Sequence, residues 1–153
     1  MTCWLRFARC GRLALRVVVD TNVWISGLIL PDSTPGRIVE AVRRGELEPV
    51  LSWELFEEIA DVLARPKLER YELPPETLGV LLQFLAPALP TVELDVELRD
   101  VDDAPVVAAA IAGQADAIVT GDRGLLDDAE LRTWLAERGV HLRTPAELAS
   151  TLA

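Results

Sequence analysis

Two short β-branched runs each end at a carboxylate, and they constrain this chain more than any other feature. Residues 15–19, LRVVV, lead directly into Asp20, and DAIVTGD at 116–122 carries a strand and a glycine turn into Asp122. A run of valines with no polar alternation reads as a strand buried on both faces, as in parallel sheets. Helical stretches separate the runs. Pro35 and Gly36 start a helix that Gly45 ends, and Ser52 caps a helix that runs to about Ala64 and stops at Pro66. Residues 48–52, EPVLS, form a second strand between those two helices. Pro74 and Pro75 open a leucine-rich helix to about Ala86, and TVELDV at 91–96 alternates as a strand should.

The small-residue helix APVVAAAIA at 104–112 closes on Gly113, Leu131 to Arg138 is helical, and a short strand spans His141 to Arg143. A final helix follows Thr144 and Pro145. Strands alternating with helices imply right-handed crossovers and an α/β fold. The expectation is three layers, α/β/α, around a central, mainly parallel sheet of four to five strands. Ligands in such sheets sit at the carboxyl ends of the strands, near the point where strand order reverses.

The 153 residues suit one domain, and with half of them apolar the chain can bury a core. No apolar run is long enough to cross a bilayer. Residues 1–14 read as a loosely ordered N-terminal extension ahead of a domain at 15–153. Arg6, Arg9 and Arg12 interrupt every apolar stretch of a would-be targeting segment. Cys3 and Cys10 suggest neither a disulfide framework nor a common metal spacing, so a reducing cytoplasm is expected.

The formal charge of −10 hides an uneven distribution. Asp95, Glu97, Asp100, Asp102 and Asp103 crowd into nine residues, which suits a hard cation and equally suits a solvated surface.

Each candidate acid has an ordinary structural role beside a functional one. Asp20 ends a buried strand where ligands bind, and it is also placed to cap the helix that starts near Val23. Asp122 either joins a site or closes an Asx turn with Gly121 and Gly124. Two acids ending two parallel strands repel one another unless a cation bridges them. Asp103, preferred to Asp102 because it lies closer to the strand–helix junction, is placed to cap the alanine-rich helix. In helix 53–64 the buried stripe is Leu55, Phe56, Ile59, Val62 and Leu63. Glu58 lies roughly 100° from its centre, whereas Glu54, Glu57 and Asp61 lie at about 140° or beyond. Glu58 is thus the acid that can lean towards a neighbouring strand, or a boundary residue.

Other chemistries lack their residues. His141 is the one histidine, with no serine or cysteine near it in sequence, and there is neither a GxGxxG nor a Walker lysine loop. A phosphatase using Asp20 commonly wants a second acid where Asn22 stands, and a receiver domain wants a late lysine. Trp4, Trp24, Trp53 and Trp134 are too scattered to form a base-stacking platform.

VVVDTNVWISGL at 17–28, SWELFEEIADVLARPK at 52–67, DVDDAPVVAAAIAGQADAIVTGD at 100–122 and RTPAEL at 143–148 together resemble the PIN-domain family of metal-dependent ribonucleases. The closest likeness is to a bacterial branch described as toxins of toxin–antitoxin pairs. The resemblance implies that Asp20, Glu58, Asp103 and Asp122 bind Mg²⁺ or Mn²⁺ and cut RNA, with Thr21, Asn22, Ser26 and Thr120 supporting them by hydrogen bonds. It also implies an RNA substrate, an antitoxin partner and permits a homodimer. Gly124 stands where a further acid often follows, which leaves Asp127 or Asp128 as substitutes for a fifth. Arg37, Arg43, Arg44, Arg65, Lys67 and Arg123 are candidate phosphate contacts, each equally serviceable as surface charge. A general RNA-processing nuclease and a non-cutting module that grips RNA or protein are the alternative readings.

Overall fold

The computed structural model describes residues 14–74, 76–86 and 88–152. The expected extension, residue 14 apart, lies outside the described residues, as do Cys3, Cys10, Trp4 and Pro75.

The first valine run forms strand β1 (Leu15–Val19). Successive strand side chains point to opposite faces, yet Val17, Val18 and Val19 are all buried, so both faces of the sheet are covered. Burying each valine contributes about 1.5–3 kcal/mol. β1 runs into helix α1 (Thr21–Ile29), then α2 (Thr34–Arg43), β2 (Leu47–Pro49) and α3 (Trp53–Leu63). Ser33 and Ser52 cap α2 and α3, their hydroxyls accepting from the amides of Gly36 and Leu55. Gly45, at φ +79°, takes the left-handed turn that ends α2.

A 3₁₀ turn (Pro66–Tyr71) and α4 (Thr77–Leu82) precede a second 3₁₀ turn (Val101–Asp103) and α5 (Ala104–Ala112). Then come β3 (Ala117–Val119), α6 (Arg123–Leu126), α7 (Ala129–Ala136), β4 (His141–Arg143) and α8 (Pro145–Ala149).

The sheet has four strands in the order β2-β1-β3-β4, every neighbouring pair parallel. This is the expected three-layer α/β/α arrangement at the lower strand number. The chain leaves β1 to one side, forms β2, and returns to β3 on the other side. Strand order therefore reverses between β1 and β3, and Asp20 and Asp122 follow these two strands. β2 ends the sheet safely. Val50 N–H bonds Val17 O at 2.8 Å, so the backbone of Pro49 faces the open side, where it offers no N–H to another strand.

Three sequence expectations need correction. Residues 91–96 form no strand. Val92, Leu94, Val96 and Leu98 are half-buried and the residues between them exposed, but the segment has no ladder partner. Alternation records one-sided burial, and that does not require a paired backbone. The leucine helix spans Thr77–Leu82 and does not reach residue 86, because Ala86 N–H turns to Leu51 O at 2.8 Å and Leu85 bridges Leu51. The second strand lies at Leu47–Pro49, one residue ahead of its expected start and shorter.

α1 and α2 meet at Gly27. A Cβ there would stand 2.6 Å from the Pro35 carbonyl oxygen and 2.5 Å from the Val39 side chain, so glycine sets the approach. α5 lies against β1 and β3, its small side chains allowing close packing at the switch point.

Candidate active site

Asp20 stands at the N-terminal boundary of α1 but makes no side-chain cap bond. Its backbone N–H is held by Val119 O at 2.9 Å, which ties it to the end of β3. Its carboxylate accepts the hydroxyl of the fully buried Thr120 at 2.8 Å. The same Thr120 oxygen accepts the backbone N–H of Asp122 at 3.0 Å. One hydroxyl thus fixes the separation of the two strand-end acids.

Asp122 also does the ordinary job foreseen for it. Its Oδ1 accepts from Gly124 N at 2.9 Å, closing an Asx turn, while the exposed carboxylate keeps lone pairs for another partner. It lines a cleft of about 350 Å³ with Asp20, Asn22, Ser26 and Pro35, and Pro145 bounds the far side.

Glu58 reaches the site from α3, which packs against α1. It is exposed, and its Oε1 accepts the hydroxyl of the buried Thr21. The helix-face argument expected a lean towards a neighbouring strand; the partner is instead the first residue of helix α1. Asp103 lies at the N-cap position of α5 but makes no side-chain cap bond; Asp100 caps the preceding 3₁₀ turn, its Oδ1 accepting from Asp102 N at 2.9 Å. The Asp103 carboxylate thus does not fill the capping role its position suggests.

Electrostatics link the four. Burial holds the Asp20 carboxyl above the usual range, and the charges of Glu58 and Asp122 push the same way against the Thr120 and Thr21 hydrogen bonds. Asp103 is pushed up to about 6, first by burial and then by the charges of Asp122, Asp100, Asp20 and Asp102. No arginine or lysine among the described residues forms an ion pair with any of these four carboxylates. Nor do three Asp, Glu, His or Cys side chains among the described residues close into a ready-made cage for an ion. The donors are all oxygens, which fits Mg²⁺ or Mn²⁺ in preference to zinc.

Of the supporting residues, Thr21 and Thr120 bond the acids directly, while Asn22 and Ser26 line the cleft. The candidate fifth acids are engaged elsewhere. Asp127 pairs with Arg123 at 2.8 Å, and the buried Asp128 caps α7 through Leu131 N at 3.1 Å and faces Arg99 at 3.7 Å. Among the basic residues, Arg123 follows Asp122 directly, and Arg37 lies two residues beyond the cleft residue Pro35, its Nη2 3.4 Å from Ala149 O. Arg43 and Arg44 pair with Glu40 at the end of α2, which precedes the start of β2, so they lie towards the sheet edge opposite Asp20. Arg65 and Lys67 are exposed around the first 3₁₀ turn. Sequence reasoning overlooked Pro35 and Pro145 as cleft walls, because nothing local in either segment shows that the two helix starts converge. It also left Asp100 unassigned, although an aspartate two residues before an amide it can cap is a legible signal.

A parallel α/β/α sheet with acids after the two strands that flank its switch point belongs to the doubly wound class of folds, in which ligands sit at the carboxyl ends of the strands. The chain belongs to the PIN domain family, whose match covers residues 16–124. Members of that family are generally metal-dependent nucleases. The chain is also 31% identical over 139 residues to an uncharacterized protein of Methanocaldococcus jannaschii, covering 88% of each chain. No solved structure gives a significant match.

Proposed function

We propose that the protein is a metal-dependent endoribonuclease whose site is Asp20, Glu58, Asp103 and Asp122. The observation that carries the reading is the electrostatic one: burial and neighbouring acidic charges raise the Asp20 and Asp103 carboxyls, and none of the four acids forms an ion pair with a cationic side chain among the described residues. A divalent cation is the partner such a set lacks.

Asp20 and Asp103 would hold Mg²⁺ or Mn²⁺, with Asp122 and Glu58 completing or orienting the shell. When bound, the ion supplies the Lewis acidity and positive charge that phosphodiester hydrolysis requires. The chain's own contribution is orientation. Thr120 aims the Asp20 oxygen and anchors the Asp122 backbone, while Thr21 aims Glu58. Arg37 and Arg123, near the cleft, would meet the phosphates of the RNA on either side of the cut.

Within this reading, the resemblance to bacterial toxins supports a cytoplasmic toxin restrained by an antitoxin. One variant tests both levels. Asp20→Asn retains an acceptor for Thr120 and should keep the fold, yet lose at least about a hundredfold in Mn²⁺-dependent RNA cleavage. Induced expression should arrest growth with the wild type and not with the variant. Wild-type-like cleavage by Asp20→Asn overturns the site. RNA binding without cleavage by the wild-type protein would select the non-cutting binding module, and cleavage without growth arrest would select general RNA processing.

A further inference from the structure

The segment that delivers Asp103 has no secondary structure of its own between residue 88 and the 3₁₀ turn at Val101. Its half-buried apolar residues, Leu94, Val96 and Leu98, lie against the core without backbone pairing. Two side-chain ties from α7 and its flanks define where it runs. At the upstream tie, Trp134 Nε1 donates to Asp95 Oδ1 at 2.7 Å, and Arg138 stacks on the Trp134 ring at 3.8 Å with its Nη2 3.6 Å from the same oxygen. At the downstream tie, Arg99 Nε lies 3.7 Å from Asp128 Oδ2. Asp128 is a firm anchor, because it is buried and its other oxygen caps α7.

Arg99 is followed at once by Asp100, which caps the turn that ends at Asp103. A short continuous path therefore runs from the α7 cap to the candidate metal ligand: Asp128, Arg99, Asp100, then the turn. Asp103 makes no side-chain cap bond, and its backbone N–H bonds Asp100 O at 3.0 Å, so the upstream end of this path reaches the turn that carries it. The upstream tie also pairs one acid of the crowded 95–103 stretch, Asp95, with Arg138, easing repulsion on the segment as it approaches the site.

We infer that Arg99, through Asp128, and Asp95, through Trp134 and Arg138, are positioning residues that hold Asp103 within reach of the charges of Asp122 and Asp20. The inference rests on the four-acid reading above.

The test compares wild type, Asp103→Asn, the double variant Asp95→Ala/Arg99→Gln, and Arg99→Lys on the full chain. Mn²⁺ affinity is read by calorimetry, and amide hydrogen exchange is read over residues 100–107 in EDTA. The double variant is expected to bind Mn²⁺ about tenfold more weakly, in the range typical for residues that orient a metal ligand. Exchange at 100–107 should quicken while the thermal midpoint moves little, since exposed ion pairs add little stability. Arg99→Lys should retain most of the affinity.

Wild-type affinity and exchange in the double variant, beside weakened binding in Asp103→Asn, would overturn the positioning role and leave the site standing. A collapsed thermal midpoint with no retention by Arg99→Lys would also overturn it, showing a merely structural tie. Unchanged Mn²⁺ affinity in Asp103→Asn would remove the four-acid reading itself, and the positioning role with it.

Discussion

Asp103→Asn should stabilise the metal-free protein, and the structure sets both the size and the pH window of the effect. The carboxyl is raised from 3.8 to about 6 by burial and by its acidic neighbours. A displacement of that size corresponds to roughly 3 kcal/mol at most. Asp103 is only half-buried, so solvent screens much of it, and about 1 kcal/mol is the expected gain. Nothing offsets the gain, because the carboxylate makes no cap bond for the amide to lose.

The pH dependence follows from the direction of the shift. Between about pH 4 and pH 6 the folded state keeps a proton that the unfolded state has released, so this group lowers stability as pH rises. Above that window the full penalty of the buried charge applies. Urea unfolding in EDTA at about pH 7.5 should place the variant's midpoint roughly 0.5 M above wild type, for a slope near 2 kcal/mol per molar. At about pH 4 most of the difference should disappear. A destabilised variant at the higher pH, or a gain of equal size at both, would refute the electrostatic coupling assigned to Asp103.

Thr21→Val keeps the volume of a buried residue but removes the hydroxyl that Glu58 accepts. Mn²⁺-dependent cleavage should fall about tenfold, while chemical denaturation should change by no more than about 1 kcal/mol; cleavage at the wild-type rate would show that Glu58 needs no orientation. Gly27→Ala places a methyl group against the Pro35 carbonyl and Val39, where the two helices cross. It should destabilise by about 1–3 kcal/mol and, since Pro35 also walls the cleft, lower cleavage as well.

Much of the fold was legible because its signals are local. Val17 to Val19 are buried on both faces and read as such, and Ser52 and Thr144 cap the helices that follow them. Strand ends and helix starts are set by residues a few positions apart, so a linear reading finds them. The extended segment at 91–96 misled for the converse reason, since pairing depends on a partner strand that sequence does not place.

The acids divide along the same line. Sequence by itself put Asp20 and Asp122 at strand ends and put Glu58 on the flank of its helix, since chain continuity and helical periodicity decide those positions. Only the three-dimensional structure showed that one buried hydroxyl, Thr120, joins the two strand ends, that Thr21 faces Glu58 across a helix contact, and that Asp103 leaves its cap position unused. The raised carboxyls of Asp20 and Asp103 are likewise tertiary, because burial and charge proximity arise only when residues far apart in sequence are brought to one edge of the sheet.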